Sequence, residues 1–158
     1  MELNFRKAQG KDAAKIAEML IDIGALHHKG RPDIYKDNLQ KYNEEDIKRI
    51  LGDENSPIFV ATDEEDNVAA YAFCIIKTVE ASKSLVERKF LYIDDFCVDK
   101  KYRKMNIGTF LVEKIVNEAR TINVASIELN VWEFNEGAIN FYEKCGFTTQ
   151  KREMEIIL

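Results

Sequence analysis

The feature that most constrains the fold is a long apolar strand that runs into a basic turn and then into an amphipathic helix. The strand covers about residues 90–98. Apolar residues then recur along one face of the helix: Ile107, Phe110, Leu111, Ile115 and Ala119. The turn between them is basic: Lys100, Lys101, Arg103 and Lys104. Free backbone N–H groups and the positive end of the helix dipole meet at such a turn, which suits a phosphate group. An ordinary charged turn explains the same pattern without a ligand.

The remaining periodicity predicts one mixed α/β domain over residues 1–158, with helices covering a single sheet. Alternating apolar residues predict further strands at 3–7, 58–62, 68–79 and 127–131, and strand-like sequence at 147–158. Apolar residues at helical spacing predict further helices at 13–24, 44–51 and 138–145, whereas the sequence looks irregular at 25–42. An acidic turn separates two of the strands and indicates a hairpin.

Composition excludes several classes of protein. The chain of 158 residues carries 23 Lys and Arg against 28 Asp and Glu, so it lacks the basic excess of a nucleic-acid-binding protein. Its apolar runs are too short to cross a membrane, and it begins without an apolar signal region, so we expect a cytoplasmic protein with no membrane partner. Cys74, Cys97 and Cys145 stand in no metal-binding spacing, and no metal is expected.

The basic turn carries the first of two family motifs. The stretch from Val98 to Gly108 resembles the coenzyme A pyrophosphate motif of the GNAT superfamily of acyl-CoA-dependent N-acyltransferases, Arg/Gln-x-x-Gly-x-Gly/Ala. Arg103 and Gly108 match its ends, but Asn106 stands where the first glycine is usual. Because Asn tolerates a positive φ better than most residues, we expect the turn to survive and to bind the coenzyme more weakly than with glycine.

The second motif lies downstream and is similar to another signature of the same superfamily. Asn135, Ala138, Phe141-Tyr142 and Gly146-Phe147 match the pattern Asn-x-x-Ala-x-x-Phe-Tyr-x-x-x-Gly-Phe. The resemblance implies that Tyr142 protonates the departing coenzyme A thiolate, which suits a phenol with a pKa near 10. A core aromatic residue is the alternative reading of Tyr142. Asn135 is expected to cap the helix and to contact the coenzyme.

Two adjacent acids, Asp94 and Asp95, interrupt the apolar strand at 90–98. Because side chains alternate along a strand, we expect the two carboxylates to point to opposite faces and to form no dyad. A salt bridge at the strand end is an equally open interpretation. The run Tyr92-Ile93-Asp94-Asp95-Phe96-Cys97-Val98 resembles the corresponding run of spermidine/spermine acetyltransferases. In that run, Asp94 matches a glutamate that handles the substrate amine. The resemblance therefore implies that Asp94 is catalytic and binds the substrate through a bridging water.

The resemblance also implies a fold and a co-substrate. The fold is α/β (α+β), a mixed and mostly antiparallel sheet of about six or seven strands with helices on both faces. The co-substrate is acetyl-CoA, and the backbone of the strand at 90–98 holds its pantetheine arm and polarises its thioester carbonyl. The residues that the resemblance assigns to the coenzyme are Phe96, Cys97, Val98, Arg103, Lys104, Met105, Asn106, Ile107, Gly108, Thr109, Asn135, Ala138 and Tyr142.

The sequence constrains the identity of the acceptor less closely than that of the co-substrate. His27 and His28 lie in the segment where the family builds its acceptor pocket, which makes them candidates for substrate binding or for plain surface residues. The net charge of −5 favours a cationic acceptor. We therefore expect acetyl transfer to a small amine, a polyamine or an amino-acid-like molecule. An N-terminal or lysine amine of a protein is the alternative acceptor. A non-catalytic module that binds acyl-CoA is the alternative class of protein. The family also implies a homodimer.

Overall fold

The computed structural model describes residues 2–158, in which five strands form one sheet. The strands are β1 (Asn4–Lys7), β2 (Ile58–Thr62), β3 (Val68–Val79), β4 (Arg88–Val98) and β5 (Ser126–Leu129). They lie side by side in chain order, with β1 to β4 antiparallel and β5 parallel to β4. The mixed, mostly antiparallel sheet is confirmed. The predicted count of six or seven strands is wrong, because residues 147–158 pair with no strand.

Four helices and two single 3₁₀ turns complete the fold. The helices are α1 (Ala13–Gly30), α2 (Glu44–Ile50), α3 (Ile107–Thr121) and α4 (Glu136–Lys144). The prediction of irregular structure from residue 25 is wrong, because α1 continues to Gly30. Its apolar stripe ends at Gly24 because the last turns leave the core, so the periodicity fades before the helix does. Within residues 2–158, no helix is long and apolar enough to span a membrane.

The helices cover both faces of the sheet, as predicted. On one face, α1 and α2 bury Ile16 and Ile47 in a cluster with residues of β2, β3 and β4. On the other face, α3 buries Leu111 and Ile115 against Leu91 and other strand residues. Helices α1 and α3 bury the stripes that their sequence periodicity indicates, and burial of such side chains is the main force that holds helices to a sheet.

A bulge in β4 determines where the strand's side chains point. Phe73 of β3 lies opposite Asp95, and the next residue, Cys74, lies opposite Ile93, so Asp94 is the extra residue. A bulge of this kind places two consecutive residues against one partner and shifts the alternation of side chains. Leu91 and Ile93 therefore pack on the α3 face before the bulge, and Phe96 and Val98 return to that face after it.

Strands β4 and β5 separate soon after they meet. Their parallel pairing runs only from Phe90 opposite Ser126 to Ile93 opposite Leu129. Beyond that point, the edge of β4 at residues 94–98 has no strand partner on the β5 side within residues 2–158. This edge therefore forms no strand ladder on that side, although the Val98 oxygen accepts a hydrogen bond from Arg103 Nε at 3.3 Å. Phe96 of this edge packs against Phe141 and Tyr142 of α4.

The loop that joins α1 to α2, residues 31–43, lies across the end of α1. A Cβ atom at Gly24 would collide with the backbone oxygen of Leu39, and one at Gly30 would collide with the ring of Phe134. Glycine is therefore required at both positions, because it lets the loop and the aromatic residues after β5 approach the helix closely. These close approaches carry the loop towards the bulge in β4.

Candidate active site

The basic turn before α3 has the backbone shape that the sequence predicts. Lys104 and Asn106 both lie in the left-handed region, with φ of 64° and 61°, and Asn106 is the N-cap residue of α3. The Asn106 side chain makes no capping hydrogen bond. The first N–H groups of the helix, from Ile107 onwards, therefore lack intrahelical acceptors and face the turn. Residues 103–106 are exposed, so the backbone of the turn and the two basic side chains, Arg103 and Lys104, are open to an anion.

Gly108 is buried, and close packing gives a reason for glycine at this position. A Cβ atom there would lie 3.0 Å from ring carbons of Phe141 and 3.4 Å from Val98 Cγ2. Its missing side chain thus allows α3, α4 and β4 to pack together. The neighbouring Ile107 is also buried, with 1% of its surface exposed.

Asn135 and Tyr142 lie on α4, beside the unpaired edge of β4. The Asn135 side chain accepts a hydrogen bond from the backbone N–H of Ala138 at 3.2 Å, which confirms the predicted cap. The Tyr142 ring packs edge-on against Phe96 and Phe147, at centroid distances of 6.1 and 5.5 Å. Its hydroxyl has no hydrogen-bond partner within residues 2–158. Burial, and then the charge of Asp95, raise the pKa of Tyr142, so the phenol stays protonated at neutral pH.

The two strand acids form a pair, which corrects the expectation that they point to opposite faces. The Lys41 ammonium binds Asp94 at 2.6 Å and lies 3.9 Å from Asp95. Both carboxylates thus reach one cation, because the bulge at Asp94 interrupts the alternation of side chains. The Lys41 pKa is raised: burial lowers it, but the hydrogen bond and the charges of the two acids outweigh burial.

Asp95 is the more deeply placed of the two acids, with 9% of its surface exposed. Its Oδ1 accepts a hydrogen bond from the Tyr71 hydroxyl at 3.0 Å. Burial raises the pKa of Asp95 to about 6, although Lys41 and Tyr71 both act to lower it. A carboxylate with this pKa is ionised at pH 7 and can still accept a proton.

The nearby thiol of Cys97 is no nucleophile, because burial raises its pKa to about 12.

Aromatic residues form a wall beside the acid pair. The His27 ring stacks on Tyr35 at 4.9 Å, and the Tyr35 hydroxyl accepts a hydrogen bond from Trp132 Nε1 at 3.0 Å. Arg31 lies over the Trp132 ring at 5.2 Å. Burial and the charge of Lys41 lower the pKa of His27, so its imidazole is neutral at pH 7. His28 Nδ1 lies 2.7 Å from the backbone oxygen of Tyr35.

The sequence missed three members of this cluster: Lys41, Tyr71 and Tyr35. Lys41 lies in a loop without periodicity, 53 residues before the acid that it binds. A usable signal was nevertheless present, because two adjacent acids in an apolar strand require a nearby cation or donor. Tyr71 was missed for another reason. The residues around it in β3 are all buried, so Tyr71 looks like a packing residue.

The model of the acetyltransferase (GNAT) family matches residues 22–147 of this chain. The L-ornithine N5-acetyltransferase NATA1 of Arabidopsis thaliana is 32% identical over 63 residues, which span 40% of this chain and 28% of that protein. YwnH of Bacillus subtilis (strain 168), for which phosphinothricin acetyltransferase activity is proposed, is 26% identical over 94 residues, 60% of this chain and 55% of YwnH. The chain thus spans about half the length, or less, of the curated relatives that it matches.

A solved structure of similar shape covers nearly the whole chain. A mutant of the BH1408 protein from Bacillus halodurans superposes with a TM-score of 0.93 and 30% sequence identity. The match covers 98% of this chain and 99% of that one. The fold, the basic turn and the acid pair described above therefore lie within a region that is similar to proteins of one family.

Proposed function

The chain belongs to the acetyltransferase (GNAT) family, and we propose that it transfers the acetyl group of acetyl-CoA to the primary amine of a small cationic acceptor. The observation that carries the proposal is the carboxylate pair Asp94 and Asp95, which already binds one primary ammonium, that of Lys41. An acceptor with a primary ammonium offers the same group to the same pair. The relatives named for ornithine and phosphinothricin support an amino-acid-like acceptor, with polyamines as the second member of the class.

The residues around the basic turn fit a coenzyme pyrophosphate. The left-handed backbone at Lys104 and Asn106 leaves the first N–H groups of α3 free, and the Arg103 side chain adds positive charge. We propose that the exposed turn 103–106 and the start of α3, residues 107–109, bind the pyrophosphate, and that the backbone edge at 96–98 binds the pantetheine arm. Asn135 and Ala138, at the start of α4, complete the site. Acetyl-CoA supplies the activated acetyl group as a thioester.

Asp95 acts as the general base in this proposal. An alkyl ammonium has a pKa near 10, so it must lose a proton before its nitrogen can form a bond to the acetyl carbon. Asp95 is ionised at pH 7 with a pKa of about 6, and it takes that proton. Asp94 holds and orients the ammonium next to it. The deep position of Asp95 limits competition by water for the same carboxylate.

Tyr142 acts as the general acid. As the C–N bond forms, the C–S bond breaks and leaves a thiolate, whose conjugate acid has a pKa of about 8.5. The protonated Tyr142 hydroxyl, which has no other partner within residues 2–158, donates its proton to that sulfur. The excess proton on the new amide nitrogen returns to Tyr142 through solvent. The products are the acetylated amine and free coenzyme A, and the proton taken by Asp95 passes to water.

The test follows the release of free thiol from acetyl-CoA in the presence of single amines. The panel contains ornithine, phosphinothricin, spermidine, a peptide with a free N-terminus and a peptide with an internal lysine. We expect thiol release with a small amine and little with the peptides. Asp94→Asn should abolish most of it, whereas Asp37→Asn, which removes an exposed acid of the 31–43 loop, serves as the matched control.

Two other outcomes would overturn parts of the proposal. Faster release with a peptide than with any small amine would assign the chain to protein acetylation. Binding of acetyl-CoA without release for any amine would indicate an acyl-CoA-binding module instead of an enzyme. Calorimetric titration with acetyl-CoA separates these outcomes from a protein that fails to bind the co-substrate at all.

A further inference from the structure

The carboxylate pair of β4 already has a primary amine of the same chain beside it. Lys41 Nζ lies 2.6 Å from Asp94 and 3.9 Å from Asp95. Within residues 2–158, no other lysine forms an ion pair with either acid. A lysine side chain ends in an alkyl ammonium on a flexible stem, which is also the form of the end of ornithine or spermidine. Lys41 therefore resembles the proposed acceptor and lies at the acids that would bind that acceptor.

The groups proposed to move protons are close to the Lys41 ammonium. Asp95, the proposed base, is 3.9 Å away and directly precedes the strand edge at 96–98. Burial, and then the charge of Asp95, raise the pKa of Tyr142, so the field of the base reaches the proposed acid. The Phe96 ring, next to Asp95 in the chain, packs edge-on against Tyr142. An amine, a base and an acid are thus present in one region of a single chain.

The Lys41 side chain is free enough to move away from Asp94. It is 39% exposed and belongs to the loop 31–43, in which no residue is helix or strand. Its ammonium also lies over the Tyr42 ring, 5.4 Å from the centroid. A partly exposed ion pair contributes little to stability, and the four-carbon stem of lysine turns easily. Lys41 Nζ can therefore leave the ion pair without any change in the fold.

We propose that, with acetyl-CoA bound and no other amine present, the chain acetylates its own Lys41. This inference rests on the proposed acetyl transfer and uses the same residues. Asp95 takes a proton from the Lys41 ammonium, Nζ forms a C–N bond to the acetyl carbon, and the C–S bond breaks. Tyr142 gives its proton to the sulfur, the excess proton on the new amide nitrogen returns to Tyr142 through solvent, and the proton on Asp95 passes to water. The products are Nε-acetyl-Lys41 and free coenzyme A.

The reaction stops after one turn in each chain. An acetylated lysine carries no charge and no nucleophilic amine, so it neither reacts again nor keeps its ion pair with Asp94. In the absence of an added amine, thiol release should therefore end at one coenzyme A per chain. Release that continues beyond this level without an amine would be plain hydrolysis of the thioester.

The test incubates the full chain with acetyl-CoA alone and follows the intact mass of the protein. The wild type should gain the mass of one acetyl group, and peptide mapping should locate that group on Lys41. Lys41→Arg keeps the positive charge but offers a guanidinium that stays protonated, so it should gain no acetyl group. Lys36→Arg changes an exposed lysine of the same loop and should be acetylated as fast as the wild type.

Chemical acetylation of exposed lysines is distinguished by its rate. The proposed transfer occurs within one chain, so its rate constant should not depend on the protein concentration. Lys41 should react at least about tenfold faster than Lys36, and at least about tenfold slower in Asp95→Asn than in the wild type, because the base is lost. Equal rates at the two lysines, an undiminished rate in Asp95→Asn, or a rate constant that rises with protein concentration would overturn the proposal.

The same samples, given the panel of amines, show which proposal fails. Thiol release with an amine but no acetyl group on Lys41 would overturn self-acetylation alone. Acetylated Lys41 without release for any amine would support self-acetylation and reject the small-amine acceptor. If neither reaction occurs, both proposals are wrong.

Discussion

The two halves of the candidate site are built in different ways. The proposed coenzyme half, residues 96–109 and 135–142, consists of two short stretches in which a turn and a helix start would supply the binding groups from backbone. The acceptor half joins side chains from distant parts of the chain: Lys41 reaches Asp94 across 53 residues, and Trp132 reaches Tyr35 across 97. Backbone geometry tolerates changes of side chain, whereas an assembly of side chains does not. The acceptor half is therefore where we expect specificity to reside.

The largest effect on kcat is expected for Tyr142→Phe. Its hydroxyl is proposed to act at the thioester sulfur, where the coenzyme half and the acceptor half meet. Loss of the hydroxyl removes the proton donor for the departing thiolate, so kcat should fall by about 10² to 10³. Affinity for acetyl-CoA should stay the same, because the ring and its contacts with Phe96 remain. Steady-state kinetics and calorimetry measure the two quantities. An unchanged kcat would remove Tyr142 from the mechanism and leave it a packing residue.

Asp94→Asn should act on the acceptor half alone. The amide keeps the size of the side chain but removes one of the two charges that hold the ammonium, so kcat/KM for the amine should fall by about tenfold to a hundredfold. The dissociation constant for acetyl-CoA should not change. If coenzyme binding weakens as much as the rate, the two halves are not separate, and the comparison drawn above is wrong.

Lys41→Met should have a smaller effect, and it should improve the use of the amine where Asp94→Asn impairs it. Lys41 competes with the acceptor for the same carboxylates, and a partly exposed ion pair contributes up to about 1 kcal/mol, so KM for the amine should fall by about twofold to fivefold. Lys36→Met, an exposed lysine of the same loop, is the matched control. A higher KM in Lys41→Met would show that Lys41 helps to bind the acceptor.

Asn106→Gly should act on the coenzyme half alone. Gly adopts the observed φ of 61° without strain and removes a side chain from the turn, so acetyl-CoA should bind tighter by about threefold. Asn123→Gly makes the same change at another left-handed residue, with φ of 56°, after the end of α3, and should leave binding unchanged. Calorimetry measures both variants. Weaker binding in Asn106→Gly would mean that the Asn side chain itself contacts the coenzyme.

The same contrast explains what could be predicted from sequence. Strand and helix periodicity predicted one sheet covered by helices, and the resemblance to the family added that the helices lie on both faces. The left-handed turn at Asn106 and the cap at Asn135 followed from local chemistry. The bulge at Asp94 could not be predicted, because one extra residue leaves the apolar pattern of the strand nearly intact. Its consequence, a carboxylate pair instead of two opposed acids, was missed with it. The segment at 147–158 has strand-like sequence but pairs with no strand within residues 2–158.

The most direct measurement is the pH dependence of kcat/KM for the best amine acceptor. With Asp95 as the base, kcat/KM should rise with pH up to about 6, since below that pKa the carboxyl group is protonated and cannot take a proton. This rise should vanish in Asp95→Asn, together with most of the rate. It should persist in His27→Gln, which removes the imidazole whose pKa is lowered by burial and by the charge of Lys41. A rise that survives in Asp95→Asn with little loss of rate would contradict the assignment of the carboxylate pair as the amine site.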